Sequence, residues 1–557
     1  MEKAKTFFAV CAAAIAAHVV SAETPDASKF EKYTAQFNAA DEELVQNLYP
    51  NSQAAKFLSE NAPVFECPDA ELERVYYFRW WTFRKHVKQT PDGYVITEFL
   101  PKVPWSGLYN AISCPGAHHF AEGRWLADKK YLEAYARYWF NCGNNVRKYT
   151  FPVAHSILEL YKVSGDKAIL SELFGKMREN AAEWEKSHYD AERGLFWQRD
   201  SRDGMEYSIS GSLHPKFLGY RATINAHMYG EYRALSEIAG ILGDGSAAKL
   251  YAEKAAALKD KINTALWDES ARFFKVIPLG STEFSDVREL HGYTPWVYNI
   301  PPKSRSDAWK FLSDASAFKA PYGPTTAEQS HPKFAVAYEG HECLWNGPSW
   351  PFATSTTLNA LANFINANGQ NAYADKGLYF DTLQTFAMSH HRTLPDGRRV
   401  MWIDENLNPY TGDWISRTRL EKWENGTWSK RKGGRERGKD YNHSQFCNHV
   451  ISELVGVRPN LDSTVEINPL VPDSWDYFYL GNISVKGRKL EVVYDRFGTR
   501  YGKGAGLSVY IDGKLAGRSE KLSPMKLDME KASATVSSDI KPNKAAKHSV
   551  FSSRRVR

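Results

Sequence analysis

Cysteine is scarce, with six in 557 residues. None belongs to a CxxC pair, and no Cys/His spacing matches a zinc site. Cys11 lies in an apolar leader, which leaves Cys67, Cys114, Cys142, Cys343 and Cys447, widely spaced and odd in number. Buried thiols are the expectation, with room for one disulfide. No Asp/Asn cluster has EF-hand spacing, so neither a metal nor a cofactor is expected. Beyond the leader, no apolar run approaches about 18 residues, so the mature chain is not expected to enter a membrane. The net charge of +6 is spread over mixed signs. The dense basic stretches, 430–437 and the last four residues, read as solvated loop and tail, which argues against a nucleic-acid groove.

Aromatics are plentiful: 17 Trp, 30 Tyr and 29 Phe. Many of the Trp residues stand beside Gly, Pro or Asn in loops, where flat rings can stack on ring-shaped ligands. The leader itself is informative. Lys3 and Lys5 precede an Ala-rich apolar run, and Val20-Ser21-Ala22 supplies small residues for cleavage. That pattern predicts a signal peptide over 1–22 and export to the periplasm or the medium.

Residues 23–458 read as paired helices. Helical patterns cover 31–60, 71–87 (with Asp69 as cap), 118–140, 150–163, 167–188, 222–242, 247–266, 304–314, 349–366, 373–391 and 441–454. Ser164-Gly165-Asp166 and Gly243-Asp244-Gly245 are short turns between partners. Longer loops at 88–114, 189–221, 267–303, 318–346 and 392–440 separate the pairs. Antiparallel hairpins of this kind close into a ring of inner and outer helices, with the long loops on one rim. An all-helical toroid is therefore expected, its cleft on the long-loop face. From 459 to 518 the pattern turns to short strands, with Asp512-Gly513 as a hairpin turn, and predicts a small β region packed on the helices. Residues 519–557 are Lys- and Ser-rich and read as a polar, disordered tail.

Three rim stretches share a chemistry. The first, GLFWQRDSRDGMEYSISG (194–211), carries Asp200, Asp203 and Glu206 with Trp197 and Tyr207. The second is HECLWNGPSWPF (341–352), with His341, Trp345, Asn346 and Trp350. The third, DENLNPYTGDW (404–414), sets Asp404 and Glu405 against turn-forming residues between Trp402 and Trp414. Hydrolysing a glycosidic bond with inversion requires two carboxyls about 6.5–9.5 Å apart, one to protonate the leaving oxygen and one to activate water. The acid needs a raised pKa, which apolar neighbours such as Met205 and Tyr207 can supply.

These pieces resemble glycoside hydrolase family 63 and its relatives, which include trehalases and mannosylglycerate hydrolases. Residues 405–412, ENLNPYTG, are similar to the ENYNPxTG motif, whose Glu is the general base. WNGPSWP resembles the WxGPxW segment that lines the sugar site. Gly204-Met205-Glu206-Tyr207-Ser208 falls where the family has G-x-D-x-S, with the general acid at the Asp. The order of the three matches, over roughly 70–458. The resemblance implies an (α/α)6 barrel with a small C-terminal β-sandwich-like region. It also implies inverting hydrolysis of an α-linked saccharide, with Glu405 as base and Glu206 as acid. This chain has Glu where the family has Asp, so Asp203 stands as the rival acid.

Further candidates for binding the carbohydrate are Arg79 and Trp81 on the aromatic 71–87 helix, and Trp105 in the first rim loop. His119 and Arg124 at the start of the next helix, Trp197, Trp402, and His443 after the 404–414 loop complete the set. Arg79 could equally pair with a core acid, and a His-His pair is ordinary inside a helix. A polysaccharide lyase on a similar toroid, drawing on Tyr207 and His443, and a non-catalytic glycan-binding protein are the competing readings. Sugar, linkage and oligomeric state are not encoded in recognisable motifs.

Overall fold

The computed structural model describes residues 24–142, 145–336, 343–422 and 432–531. The expected leader at 1–22, the tail from 532, and His341 lie outside them. Helices follow one another as α1 (Ser28–Ala39), α2 (Ala54–Asn61), α3 (Ala70–His86), α4 (Gly116–Gly123), α5 (Lys130–Asn141), α6 (Val153–Ser164) and α7 (Lys167–His188). They continue as α8 (Ala222–Leu242), α9 (Gly245–Ala265), α10 (Thr294–Val297), α11 (Lys310–Ser313), α12 (Pro351–Asn368), α13 (Lys376–Met388), α14 (Ile415–Lys422) and α15 (Phe446–Asn448).

The hairpin turns work as the sequence demands. Gly165 ends α6 with φ +74, and Asp166 then caps α7 through a 2.8 Å bond from the Ala168 N–H. Gly243 ends α8 with φ +86, and Asp244 caps α9 through the Ala247 N–H. A left-handed glycine followed at once by an Asp cap reverses the chain within three residues. Asp69 likewise caps α3, accepting from the N–H groups of Glu71 and Leu72. α4, α6, α8, the end of α10, α12 and the stretch 445–453 all line one axial cavity. These are the inner members of an (α/α)6 barrel, with the alternate helices outside.

Several expected helices divide. The 118–140 pattern splits into α4 and α5, because 124–129 form a tight turn held by Lys129 Nζ on the Arg124 and Leu126 carbonyls. A side chain at Gly123 would also strike Leu132 and Phe83. The 31–60 pattern breaks before Pro50, which fixes its own φ and lacks an N–H. The last helix starts at Phe446 rather than 441, because 441–445 run extended with the Asn442 N–H on the Glu98 carbonyl. It continues as a π-helical turn over His449–Leu454. Among the described residues no disulfide forms, and Cys67 and Cys447 are buried thiols.

The β region recruits residues from beyond its expected limits. Its five-stranded antiparallel sheet runs Val64–Glu66, Tyr477–Val485, Arg488–Asp495, Gly506–Ile511, Lys514–Ser519, with Val64 opposite Gly481. A three-stranded sheet runs Val457–Pro459, Thr464–Ile467, Met525–Asp528. The 525–528 strand falls in the stretch read as tail, where alternation of buried Met525 and Leu527 with outward Lys526 is a strand signal in itself.

A buried ionic knot ties the N-terminal segment and α3 to the third rim loop. Lys85 Nζ lies 2.7 Å from both Asp41 and Asp440, and Lys439 closes on the other oxygen of Asp41. The Lys85 side chain is only 1% exposed. Lys85→Met would leave two buried carboxylates without their shared cation. The expected cost is about 3–5 kcal/mol, read as a lowered urea midpoint; a loss below about 1 kcal/mol, typical of an exposed pair, would contradict this account of the knot.

Candidate active site

The three rim stretches meet through main-chain hydrogen bonds. The Trp345 N–H donates to the Glu206 carbonyl at 3.1 Å. Ser349 and Leu407 form an antiparallel bridge, each N–H donating to the other's carbonyl at 3.0 Å. The central tryptophan segment thus holds the Glu206 turn on one side and the Glu405 turn on the other.

Within each outer stretch a buried Asp serves as scaffold. Asp200 is fully buried and accepts from the N–H and hydroxyl groups of both Ser208 and Ser212. A Cβ at Gly211 would collide with that carboxylate, so the turn needs glycine there. Asp404, also fully buried, accepts from the Glu405 N–H, Ser416 Oγ, Trp402 Nε1 and Arg417 Nε. Gly438 leaves the space that lets the chain pass over it. Asn408 closes the turn after Glu405 through the N–H of Tyr410.

Glu206 projects between two left-handed residues, Gly204 at φ +76 and Tyr207 at φ +60. Such a conformation is costly for Tyr and is retained where the surroundings enforce it. Apart from its own backbone N–H, the Glu206 carboxyl has no hydrogen-bond partner among the described residues. It is half-buried in the cleft, and that burial, with the negative charges of Asp200 and Glu405 added, pushes its pKa up to about 8. Glu405 is 5% exposed, and its carbonyl accepts from His443 Nε2.

A third carboxyl joins them. Glu98, from the loop after the Gly93–Ile96 strand, is buried and takes a 2.5 Å hydrogen bond from the Tyr441 hydroxyl. Burial, reinforced by the charges of Glu405 and Glu206, raises it to about 8. The wall around the three is a small apolar cluster of Phe99, Val103, Ile112 and Tyr441, with Trp105, Cys114 and Tyr149 against it. The sequence reading passed over Glu98, yet an acid in a Pro- and aromatic-rich rim loop (TEFLPKVPW) is the same signal that drew attention to Glu405. Tyr149, whose hydroxyl feels the charge of Glu206, had no such mark.

The remaining candidates scatter. Asp203 is held by Arg221 Nε at 2.9 Å, by Thr150 Oγ1 at 2.6 Å and by the Thr223 hydroxyl, which ties its side chain into the scaffold. Arg79 is buried against Ser444 and His390. Trp81 stacks on Phe78 and donates to Asn38, away from the cleft. His119 is fully buried between the Tyr135 hydroxyl and the Asn442 carbonyl. Trp197 packs on His188 from a strand at the end of α7. Arg124 pairs with Glu159 in the axial cavity below. Trp345 and Trp350 do reach the site but stack on each other, 4.7 Å between centroids, and are 3% and 4% exposed, so they form its floor. Asn346 spends its amide on the Lys333 carbonyl. Trp402 and His443 brace the Glu405 turn from behind, and Trp105 lies in the cleft wall under Arg437.

An (α/α)6 barrel with acidic side chains on its long-loop rim is the frame of the six-hairpin class. Residues 108–444 match the model of the mannosylglycerate hydrolase MGH1-like glycoside hydrolase domain, and the chain belongs to that family. Residues 458–517 match the C-terminal domain of glycosyl hydrolase family 65. A solved structure described as a sialidase is 38% identical, with a TM-score of 0.82 over 90% of this chain and 45% of that one. The GH78 family rhamnosidase of Bacillus sp. GL1 shares the fold at 12% identity and a TM-score of 0.52, over 83% of this chain and 42% of its own. An uncharacterized protein of Borreliella burgdorferi is 23% identical over 271 residues, 47% of this chain and 54% of that protein. The chain thus spans about half the length of that relative.

Asp203 and Glu206, two of the acids in 194–211, should respond oppositely to substitution. Asp203→Asn leaves Arg221 buried without its counter-charge, and stability should fall by about 3–5 kcal/mol in urea unfolding. Glu206→Gln removes no scaffold bond and should stay within about 1 kcal/mol of the parent. The reverse ranking would reassign the two roles.

Proposed function

We propose that this protein is an exported inverting glycoside hydrolase acting on an α-linked oligo- or polysaccharide. Glu206 protonates the leaving oxygen, and Glu405 takes the proton from the attacking water. What carries this reading is that main-chain bonds through the tryptophan segment draw the Glu206 and Glu405 turns together, near enough for the charge of Glu405 to act on Glu206. The raised pKa of Glu206 supports its half of the assignment: a carboxyl that holds its proton near neutral pH can donate it. Glu98 is the third member of the site. Held by Tyr441, it is suited to meet a sugar hydroxyl beside the reacting bond.

In this reading residues 1–22 are a cleaved signal, 23–458 form the catalytic barrel, and the strands from 457 onward pack against it as a supporting module. No helix among the described residues is long and apolar enough to cross a membrane. Of the two residues the lyase alternative drew on, Tyr207 and His443, the His443 ring is buried, with one nitrogen on the Glu405 carbonyl and its pKa held well below the usual range by burial. Such a ring braces a loop, whereas a lyase needs a base exposed to the sugar.

NMR of the anomer first released from α-linked oligosaccharides tests the mechanism: inversion gives the β-anomer, and an α-anomer would overturn it. Glu405→Gln should lower kcat by about 10²–10⁴-fold. The donor is competent only while protonated, so kcat/KM should fall as pH rises through about 8. Glu98 is itself raised to about 8 and is largely protonated below that limb, so Glu98→Gln should leave the limb where it is. A limb moved to lower pH would mean that Glu98 carries charge while Glu206 still holds its proton.

A further inference from the structure

Beneath the carboxyls, on the barrel axis, lies a second cavity of about 370 Å³. Glu98, Glu206 and Glu405 do not line it; of its lining, Cys114 packs on the Phe99–Tyr441 cluster and Phe352 on Trp345 and His443. Its far mouth opens at the seam with the β region, where Val457–Pro459, Asn460 and Glu466 contribute. Seams of this kind are common ligand sites, and the volume falls at the lower end of the range of about 300–1,000 Å³ for small-molecule pockets.

The walls carry no excess of either charge. Arg124 and Lys162 both pair with Glu159 at 2.6 Å, and Arg233 pairs with Glu237 at 2.7 Å, while Arg458 donates to Asn363 within reach of the charges of Glu453 and Glu466. The deeper lining is neutral and able to hydrogen-bond in both directions. Burial depresses the imidazoles of His118, His155 and His227, the latter two to about 4 and about 3, so each ring keeps one donor and one acceptor at neutral pH. Tyr298 and Phe352 add ring surfaces. Asn448 Nδ2 and Arg124 Nε, on residues of the wall, make no hydrogen bond among the described residues but are themselves covered from the cavity.

We propose that this axial cavity is a second binding site, taking an uncharged polyhydroxylated ligand of about one hexose in size. Paired charges turn away ionic ligands, neutral imidazoles and amides match hydroxyls, and the ring surfaces suit the apolar face of a pyranose. The site stands apart from the proposed hydrolysis, and it gives Arg124 a role outside the cleft.

The test uses the full chain carrying Glu405→Gln, titrated by calorimetry with D-glucose, D-mannose, D-galactose and L-rhamnose. At least one should bind. Thr356→Phe, which fills the cavity from α12, should weaken that binding tenfold or more, and in the Glu405 background it should keep kcat/KM within twofold. His227→Phe provides a second block if Thr356→Phe lowers Tm, and soaked crystals of the native chain should show the sugar against Asn448. Absence of binding across the panel, binding that survives both variants, or density confined to the cleft beside Glu206 would overturn the proposal, leaving the cavity to water.

Discussion

Three backbone hydrogen bonds carry the arrangement: one from the Trp345 N–H to the Glu206 carbonyl, and two between Ser349 and Leu407. They join segments that are otherwise remote along the chain, and they act on the main chain, so the carboxyls are positioned without being consumed. The barrel makes this possible by fixing the ends of each long loop on one rim, which removes most of the entropy that closing such loops would cost. Side chains then lock each turn from within. Asp200 does this for the first loop and Asp404 for the third.

That division of labour explains why acids cluster beside each candidate. In each loop one carboxylate is saturated with N–H and O–H donors and holds the turn, while a neighbour faces the cleft. Behind the first turn the anchoring runs deeper, from Asp203 to Arg221, on to His291 and Glu289, and back to Ser210. Burial alone would raise Glu289, but His291 and Arg221 outweigh it and hold the group at about 2, whereas at Glu206 and Glu98 burial outweighs the pull of Arg202 and Lys148 and both rise to about 8. The same low dielectric thus produces fixed anions where it supplies partners and proton carriers where it does not.

Much of the fold could be read from local chemistry. The Ser-Gly-Asp and Gly-Asp-Gly turns announce hairpins because left-handed glycine and capping Asp act within a few residues. ENLNPYTG was recognisable for the same reason: Asn408, Pro409 and Gly412 form a turn on their own. What local windows could not supply was tertiary. Trp81 and Trp197 read as sugar platforms, but which face of an all-aromatic helix meets the axis depends on α1, and Asn38 settles it for Trp81. Trp345 and Trp350 reached the site yet stack on each other. Glu98 depends on Tyr441, 343 residues away, a pairing that no local window contains. Met525 and Leu527 were lost in a Lys-rich stretch whose strand is completed only by Thr464–Ile467.

The central claim is that Glu206 carries a proton at neutral pH inside a cleft shared with Glu405. Difference infrared spectroscopy of the native chain against Glu206→Gln reads that proton directly. A protonated-carboxyl C=O band should be present near pH 7 in the native chain, be lost in the variant, and give way to the carboxylate band as pH passes about 8. A native chain already showing Glu206 as carboxylate at pH 6 would contradict the account.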